Sequence, residues 1–343
     1  MAEFPHVFIA GEDIDRVSED LARRLAEVGI RAPFVLSSVH GEHLAAHLDG
    51  RVALEQAPPE ADQEWAAGLG SRAHDSGADA LVAIGGGRGI DVAKLGAARA
   101  GLQLIAVPTQ LSHDGICSPV AVVPDDRGIA ASLGAIAPIA VYISIPTLRD
   151  APTESVAAGI GDLLANPLAL RDWRLAADRS LEELDQRAWD LSVESYELIK
   201  DDLVRPPAES VKDRDFLRRL ADALVLSGMA MIVSGTSRPA SGGEHEVSHA
   251  IDELFGGRGM HGAQVAFGCI ISLALYGEDT ASFRATLETL GLPQAPEELG
   301  LSTDDLVRVL VEAPNTRPGR FTILEDANLD EDELRTLVKK IWH

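Results

Sequence analysis

Ala80-Leu81-Val82-Ala83-Ile84 runs directly into Gly85-Gly86-Gly87-Arg88-Gly89-Ile90-Asp91, and a helical stretch follows from Val92 to Ala100. A short apolar run closed by glycines reads as a buried strand, so the segment is strand, glycine turn and helix. Such a turn lets backbone N–H groups approach an anion closely, with the positive end of the following helix facing it. The turn therefore predicts a cradle for a pyrophosphate. It differs from the usual G-x-G-x-x-G turn because it follows roughly the third strand, and three adjacent glycines also suit a plain tight turn.

Outward from this stretch, short apolar runs alternate with amphipathic ones from His6 to about Thr147, the pattern of βαβ units and a mostly parallel sheet. Strands are expected at His6–Ala10, Ala32–Ser37, Ala80–Ile84, Leu102–Val107, Val120–Val123 and Ile139–Ser144, with helices at Asp13–Val28 and Ala61–Ser76. After Pro152 the strand signal stops, and Leu181–Lys200 and Asp213–Val233 carry apolar residues at helical spacing. Pro146 and Pro152 bracket this change. The expected architecture is a Rossmann-like α/β nucleotide-binding domain over residues 1–150 and an all-α domain over 151–343.

Composition narrows the function. The 343 residues can bury a large core, and a net charge of −24 would repel a phosphate backbone, so nucleic acid is not an expected partner. Cys117 and Cys269 form no Cys-x-x-Cys pair, which argues against a disulfide framework or a thiolate zinc ribbon. Glu3 precedes the short apolar run Val7–Ala10, and Glu12 and Asp13 follow it, which is wrong for a secretory signal. The apolar segment Val265–Tyr276 is broken by Gly268 and is too short for a membrane span. A cytoplasmic enzyme is expected.

Two further stretches carry chemistry. Strand Leu102–Val107 leads into Pro108-Thr109-Gln110-Leu111-Ser112-His113-Asp114-Gly115-Ile116-Cys117-Ser118, a run of hydroxyl and acidic groups at the sheet edge where α/β proteins bind ligands. The alternative is a polar loop of turn formers. Farther on, Ser241–Asp252 reads as a helix on which His245 and His249, four residues apart, share a face. His261 follows a glycine-rich break and brings a third imidazole within reach. Taken literally, His245-Glu246-x-x-His249 is the H-E-x-x-H of zinc metalloproteases, in which the Glu activates water. However, Asp252 and Phe255 stand where the extended metzincin motif needs Gly and His. Asp162 lies inside the small apolar stretch Ala157–Asn166, where a carboxylate either caps a helix turn or needs a partner. One carboxylate and two imidazoles with an open fourth position form a catalytic zinc pattern.

With these blocks together the chain resembles the sn-glycerol-1-phosphate dehydrogenases, part of the wider group of iron-containing alcohol dehydrogenases, glycerol dehydrogenase and dehydroquinate synthase. The resemblance runs from about residue 80 to 325. It rests on Gly85–Asp91, Val107–Pro119, Gly161–Asn166 with Asp172-Trp173, Ser237–Gly242 with Glu244-His245, His261-Gly262 and Arg320–Leu324. Gly243, Cys117 and Ser144 depart from the usual Ser, Ala and Asp.

The resemblance implies a dehydroquinate-synthase-like architecture in which the helical domain binds metal and substrate. It implies that Asp162, His245 and His261 bind the metal, expected to be zinc, with iron or nickel as alternatives. Asp114 and His249 contact the substrate. Gly87, Arg88, Gly89, Ile90, Asp91, Thr109, Gln110, Leu111, Ser112 and Ser118 contact NAD(H) or NADP(H), and Glu246 is left as a solvated helix position. The expected reaction reduces dihydroxyacetone phosphate, in a homodimer or larger homo-oligomer. Arg238 and Arg320, with Arg317 beside them, are the cations expected to meet the substrate phosphate. The second strand ends Val35-Leu36-Ser37-Ser38-Val39-His40-Gly41 with no acid before Glu42, so a 2′-phosphate is not repelled there. Alternatives are a dehydroquinate-synthase-like cyclase, a dehydrogenase of another phosphorylated polyol in specialised metabolism, the metalloprotease, and an inactive nucleotide-binding protein.

Overall fold

The computed structural model describes residues 4–10, 14–48, 54–58 and 61–342. Strands β1 (His6–Ala10), β2 (Pro33–Ser37), β3 (Leu54–Glu55), β4 (Ala80–Gly85) and β5 (Gln103–Pro108) enter the main sheet. Strands β6 (Val120–Pro124) and β7 (Ala130–Gly134) pair only with each other, and β8 (Ala140–Ser144) returns to the main sheet. The main sheet has the order β1-β8-β5-β4-β2-β3, and every pairing in it is parallel. Gly85 lies opposite Pro108 and Ile84 opposite Ser37, so the glycine turn, the β5 loop and the end of β2 open on one edge.

Alternation along β4 divides the core. Val82 and Ile84 pack with Val17, Leu21 and Leu25 of the helix Val17–Glu27 on one face. Leu81 and Ala83 face the other way, into a core that continues through Leu220 and Leu224 to Val247, Phe267 and Ile270 of the C-terminal helices. This is the period-two pattern of a strand buried on both sides. Among the described residues every helix or strand after Ser144 is a helix, the long ones being Thr153–Leu163, Asn166–Asp178, Gln186–Glu197, Arg214–Ser234, Gly243–Phe255 and His261–Leu275.

Several expectations need correction. Val120–Val123 is a strand, but it belongs to the antiparallel β6–β7 ribbon and not to the parallel sheet. The helix after the glycine turn begins at Gly87, with Gly86 as its cap, so Gly87–Asp91 form its first turn and not a loop before it. Leu181–Lys200 is α-helical only over Gln186–Glu197, because the Asp185 side chain accepts from Ala188 N at 2.9 Å and starts the helix there. The first expected helix begins at Val17 after a turn over Ile14–Arg16; Asp13 lies outside the described residues.

Candidate active site

Three helices deliver the metal-type donors. Asp162 lies near the end of Thr153–Leu163, His245 in the first turn of Gly243–Phe255, and His261 opens His261–Leu275. Glycines let these helices touch main chain to main chain. A Cβ on Gly161 would lie 2.3 Å from the Gly262 carbonyl oxygen, and one on Gly262 would lie 1.9 Å from that of Ala158. Likewise a Cβ on Gly268 would lie 2.4 Å from the Glu244 carbonyl oxygen.

The resulting distances suit one small cation. Asp162 Oδ1 is 3.6 Å from His245 Nε2 and 3.9 Å from His261 Nε2, and the three donor atoms all lie within 4.8 Å of one another. Ligands at about 2.1 Å in a tetrahedron are roughly 3.4 Å apart, so small adjustments would close these donors on a zinc-sized ion. The remaining atoms of each ligand are already engaged. Glu244 Oε1 lies 2.9 Å from His245 Nδ1, Ser248 Oγ lies 3.3 Å from His261 Nδ1, and Asp114 N donates to Asp162 Oδ2 at 2.8 Å. Both imidazoles are thereby held with Nε2 toward the common point.

Burial and mutual charge set the protonation. Burial alone would lower His245, but its bonds to Asp162 and Glu244 outweigh this and raise it to about 9. Burial, then the charge of His245, pushes His261 down to about 3. Burial works to raise Asp162, yet the His245 bond and the neighbouring imidazoles hold it below the usual carboxylate range. Burial and the Asp162 charge push Asp114 up to about 7, while burial and Arg317 hold His249 well below the ordinary imidazole value.

A cleft of about 120 Å³ leads from these donors and is lined by His113, Asp114, His249, Arg317, Asp91 and Ser118 among others. Asp91 pairs with the buried Lys94 at 3.3 Å and accepts from Val122 N at 3.1 Å. Thr109 and Gln110 line a separate cavity of about 690 Å³ with Ser18, His43, His47 and Thr147. Of the other residues expected at the coenzyme, Arg88 is exposed, Gly89 has open space around it, and Ser112 is buried. Ile90 and Leu111 face the apolar core, so only their backbone atoms can reach a ligand.

His113, quoted above only as part of a block, is the residue the sequence reading passed over. Gly115 N donates to its Nδ1 at 3.0 Å, and its Nε2 would lie 1.9 Å from a Cβ on Gly87. The ring therefore covers the first turn of the helix Gly87–Ala100. The available signal was its place between Ser112 and Asp114 at the carboxyl end of β5.

Two expectations meet a different arrangement. Glu246 is fully buried, not solvated. Thr322 Oγ1 lies 3.0 Å from its Oε2, and burial with the nearby Glu325 raises it to about 9. The segment Arg320–Leu324 covers that side of the helix, so Glu246 points away from the metal donors and cannot serve as the water-activating base of an H-E-x-x-H site. Arg238 is equally buried, its guanidinium bound to Glu182 and to the Phe321 carbonyl at 2.8 Å. Arg320 donates to the Ser241 carbonyl at 2.6 Å and to Ser237 Oγ at 2.8 Å. Arg317 is the arginine that lines the cleft, with its Nε 3.4 Å from His249 Nδ1.

The family model for iron-containing alcohol dehydrogenases matches residues 11–152. A glycerol-1-phosphate dehydrogenase [NAD(P)+] of Cenarchaeum symbiosum is 37% identical over 258 residues, 75% of this chain and 71% of the relative. The corresponding protein of Hyperthermus butylicus is 33% identical across 98% of this chain and 97% of its own. Among solved structures, a probable glycerol dehydrogenase from Sinorhizobium meliloti superposes with a TM-score of 0.80 at 22% identity, covering 99% of this chain and 98% of that one. Among the described residues no helix is long and apolar enough to cross a membrane.

Proposed function

The chain belongs to the glycerol-1-phosphate dehydrogenase family and is an NAD(P)-dependent dehydrogenase, and from that premise we propose that it reduces dihydroxyacetone phosphate to sn-glycerol 1-phosphate with a divalent ion, zinc by preference, on Asp162, His245 and His261. The observation that carries this reading is the spacing of those three donor atoms, with Arg317 one imidazole away across His249. When bound, the ion supplies Lewis-acid polarisation of a carbonyl oxygen and the nicotinamide supplies the hydride.

The chain's own groups do the rest. Arg317 is the guanidinium available to a phosphate, and Arg320 adds positive potential behind it. Arg317 Nε lies 3.4 Å from Nδ1 of His249 and its Nη2 3.5 Å from Nε2, so both ring nitrogens face the guanidinium and the neutral ring holds Arg317 at the edge of the cleft. A proton added to this ring would set a new positive charge against Arg317, so the proton for the developing alkoxide is better drawn from Asp114, which lines the same cleft and whose carboxyl is raised by burial. The first turn of the helix Gly87–Ala100, with the Nε2–H of His113 above it, is the proposed pyrophosphate cradle, and the 690 Å³ cavity the proposed adenosine end. We take the working form to be a homo-oligomer in the cytoplasm.

The test follows NAD(P)H absorbance with dihydroxyacetone phosphate before and after chelator treatment. Turnover lost on stripping and restored by zinc supports the reading, and full turnover without metal refutes it. Consumption of a phosphorylated substrate with no net change in NAD(P)H would instead favour a dehydroquinate-synthase-like cyclase.

A further inference from the structure

The two imidazoles among the metal-type donors are held by different means. His245 meets a carboxylate directly, since Glu244 Oε1 lies 2.9 Å from its Nδ1. His261 meets only a hydroxyl, Ser248 Oγ, 3.3 Å from its Nδ1. That hydroxyl does not end the line. Ser248 Oγ donates to Gln264 Oε1 at 3.0 Å, and Gln264 Nε2 donates to Asp252 Oδ1 at 3.0 Å.

Spacing in the sequence makes this chain possible. Ser248 and Asp252 are four apart on the helix Gly243–Phe255, and His261 and Gln264 are three apart on His261–Leu275, so each pair shares one face of its helix. Every link crosses from one helix to the other. Ser248 and Gln264 are buried, so the middle of the chain is closed to solvent. Asp252, its far end, is half-buried and lines the cleft.

The polarity of the chain is fixed from that end. A carboxylate only accepts, so Asp252 turns the Gln264 amide with Nε2 toward itself and Oε1 toward Ser248. This carbonyl oxygen takes the hydroxyl proton of Ser248, and the hydroxyl's lone pairs are left for an N–H. Of the two neutral tautomers of His261, only the one protonated on Nδ1 can supply it, and that tautomer leaves Nε2 bare toward Asp162.

We propose that Asp252, acting through Gln264 and Ser248, is a positioning residue that keeps His261 in its metal-binding tautomer. The inference rests on the metal reading above. Two neutral links carry the orienting effect of a carboxylate to His261 without burying a further charge beside Asp162.

The experiment measures zinc affinity of the full chain against a chromophoric chelator for wild type, Asp252→Asn, Ser248→Ala and the double variant. Ser248→Ala should weaken zinc binding by roughly ten- to a hundredfold, the effect of losing a ligand's orienting partner. Asp252→Asn, which can present either end of its own amide to Gln264, should weaken it by about three- to tenfold. The double variant should bind zinc as Ser248→Ala alone does, because the chain is already cut. Loss of the Asp252 charge acting through space would instead count in full in both backgrounds. Such additivity overturns the relay, and so does unchanged affinity in Asp252→Asn, while both leave the metal reading intact. If Ser248→Ala does not melt cooperatively, Gln264→Met cuts the same chain at its next link and takes its place in the comparison. A wild type that takes up no zinc overturns the metal reading, and the relay with it.

Discussion

Glu244 and His245 are neighbours in sequence and partners in space: Oε1 of the fully buried carboxylate lies 2.9 Å from Nδ1 of the imidazole, and the same oxygen accepts from Gly242 N at 2.6 Å. The carboxylate favours the tautomer that offers Nε2 to the proposed metal position and would make that nitrogen a better donor. Glu244→Gln should therefore weaken zinc binding by roughly ten- to a hundredfold. Titration against a chromophoric chelator measures this directly, and excess zinc should recover much of the turnover. Unchanged zinc affinity would leave Glu244 with a packing role only.

Arg317→Ala should raise KM for dihydroxyacetone phosphate by about tenfold or more, the size of one charged hydrogen bond at roughly 1.5–3 kcal/mol. Arg238→Ala should instead lower the melting temperature, by about 1–3 kcal/mol of stability, because it releases Glu182 and the Phe321 carbonyl. Steady-state kinetics paired with melting curves separates the two. The assignment fails if Arg238→Ala moves KM and Arg317→Ala does not.

NADPH should serve at least comparably to NADH. At the end of β2, Ser37 Oγ donates to the Ser38 carbonyl at 3.0 Å, Ser38 Oγ is buried without a hydrogen-bond partner, and Gly85 faces Ser38. The first acid beyond, Glu42, is bound to Gln56. A preference for NADH above roughly a hundredfold, about 2.7 kcal/mol, would mean that another acid guards the ribose.

Glu246 sets a pH dependence of stability. Its carboxyl keeps its proton to about pH 9 in the fold but has an ordinary value of 4.5. Between those values the folded state binds the extra proton, so this contribution is complete below pH 4.5 and is lost as pH rises toward 9. Glu246→Gln, which mimics the protonated acid, should melt higher than wild type at pH 9 by more than about 1 kcal/mol, with the gap closing near pH 5. The variant should also keep its reductase activity. A gap independent of pH would show that Glu246 is ionised in the fold.

What could be read from the sequence follows from how local each signal is. Strand β4 and the glycine turn are legible because their apolar run, glycines and helix are contiguous. Strand β7 is not, since Ala130-Ala131-Ser132-Leu133-Gly134 has no β-branched residue and is held only by its pairing with β6. His245 and His249 are visible at helical spacing, but only the resemblance separates the first, for the metal, from the second, for the substrate. The surroundings of Arg317 and Glu246 are not legible because they come from 68 to 185 residues away, through His249, Thr322 and Ser132. Linear distance hides what lies on the far side of a helix.

The glycine contacts between the donor helices bear on how the site fills and how it varies. Where Gly161 meets the Gly262 carbonyl and Gly262 meets that of Ala158, the helix separation is a main-chain dimension, beyond the reach of side-chain repacking. On the proposed metal reading the cage is therefore assembled before any ion arrives, and loading becomes a docking event whose rate should follow solvent access and not the opening of the fold. The same rigidity makes the apolar lining replaceable over time while fixing those two positions, because even one methyl group there would wedge the helices apart and break the cage.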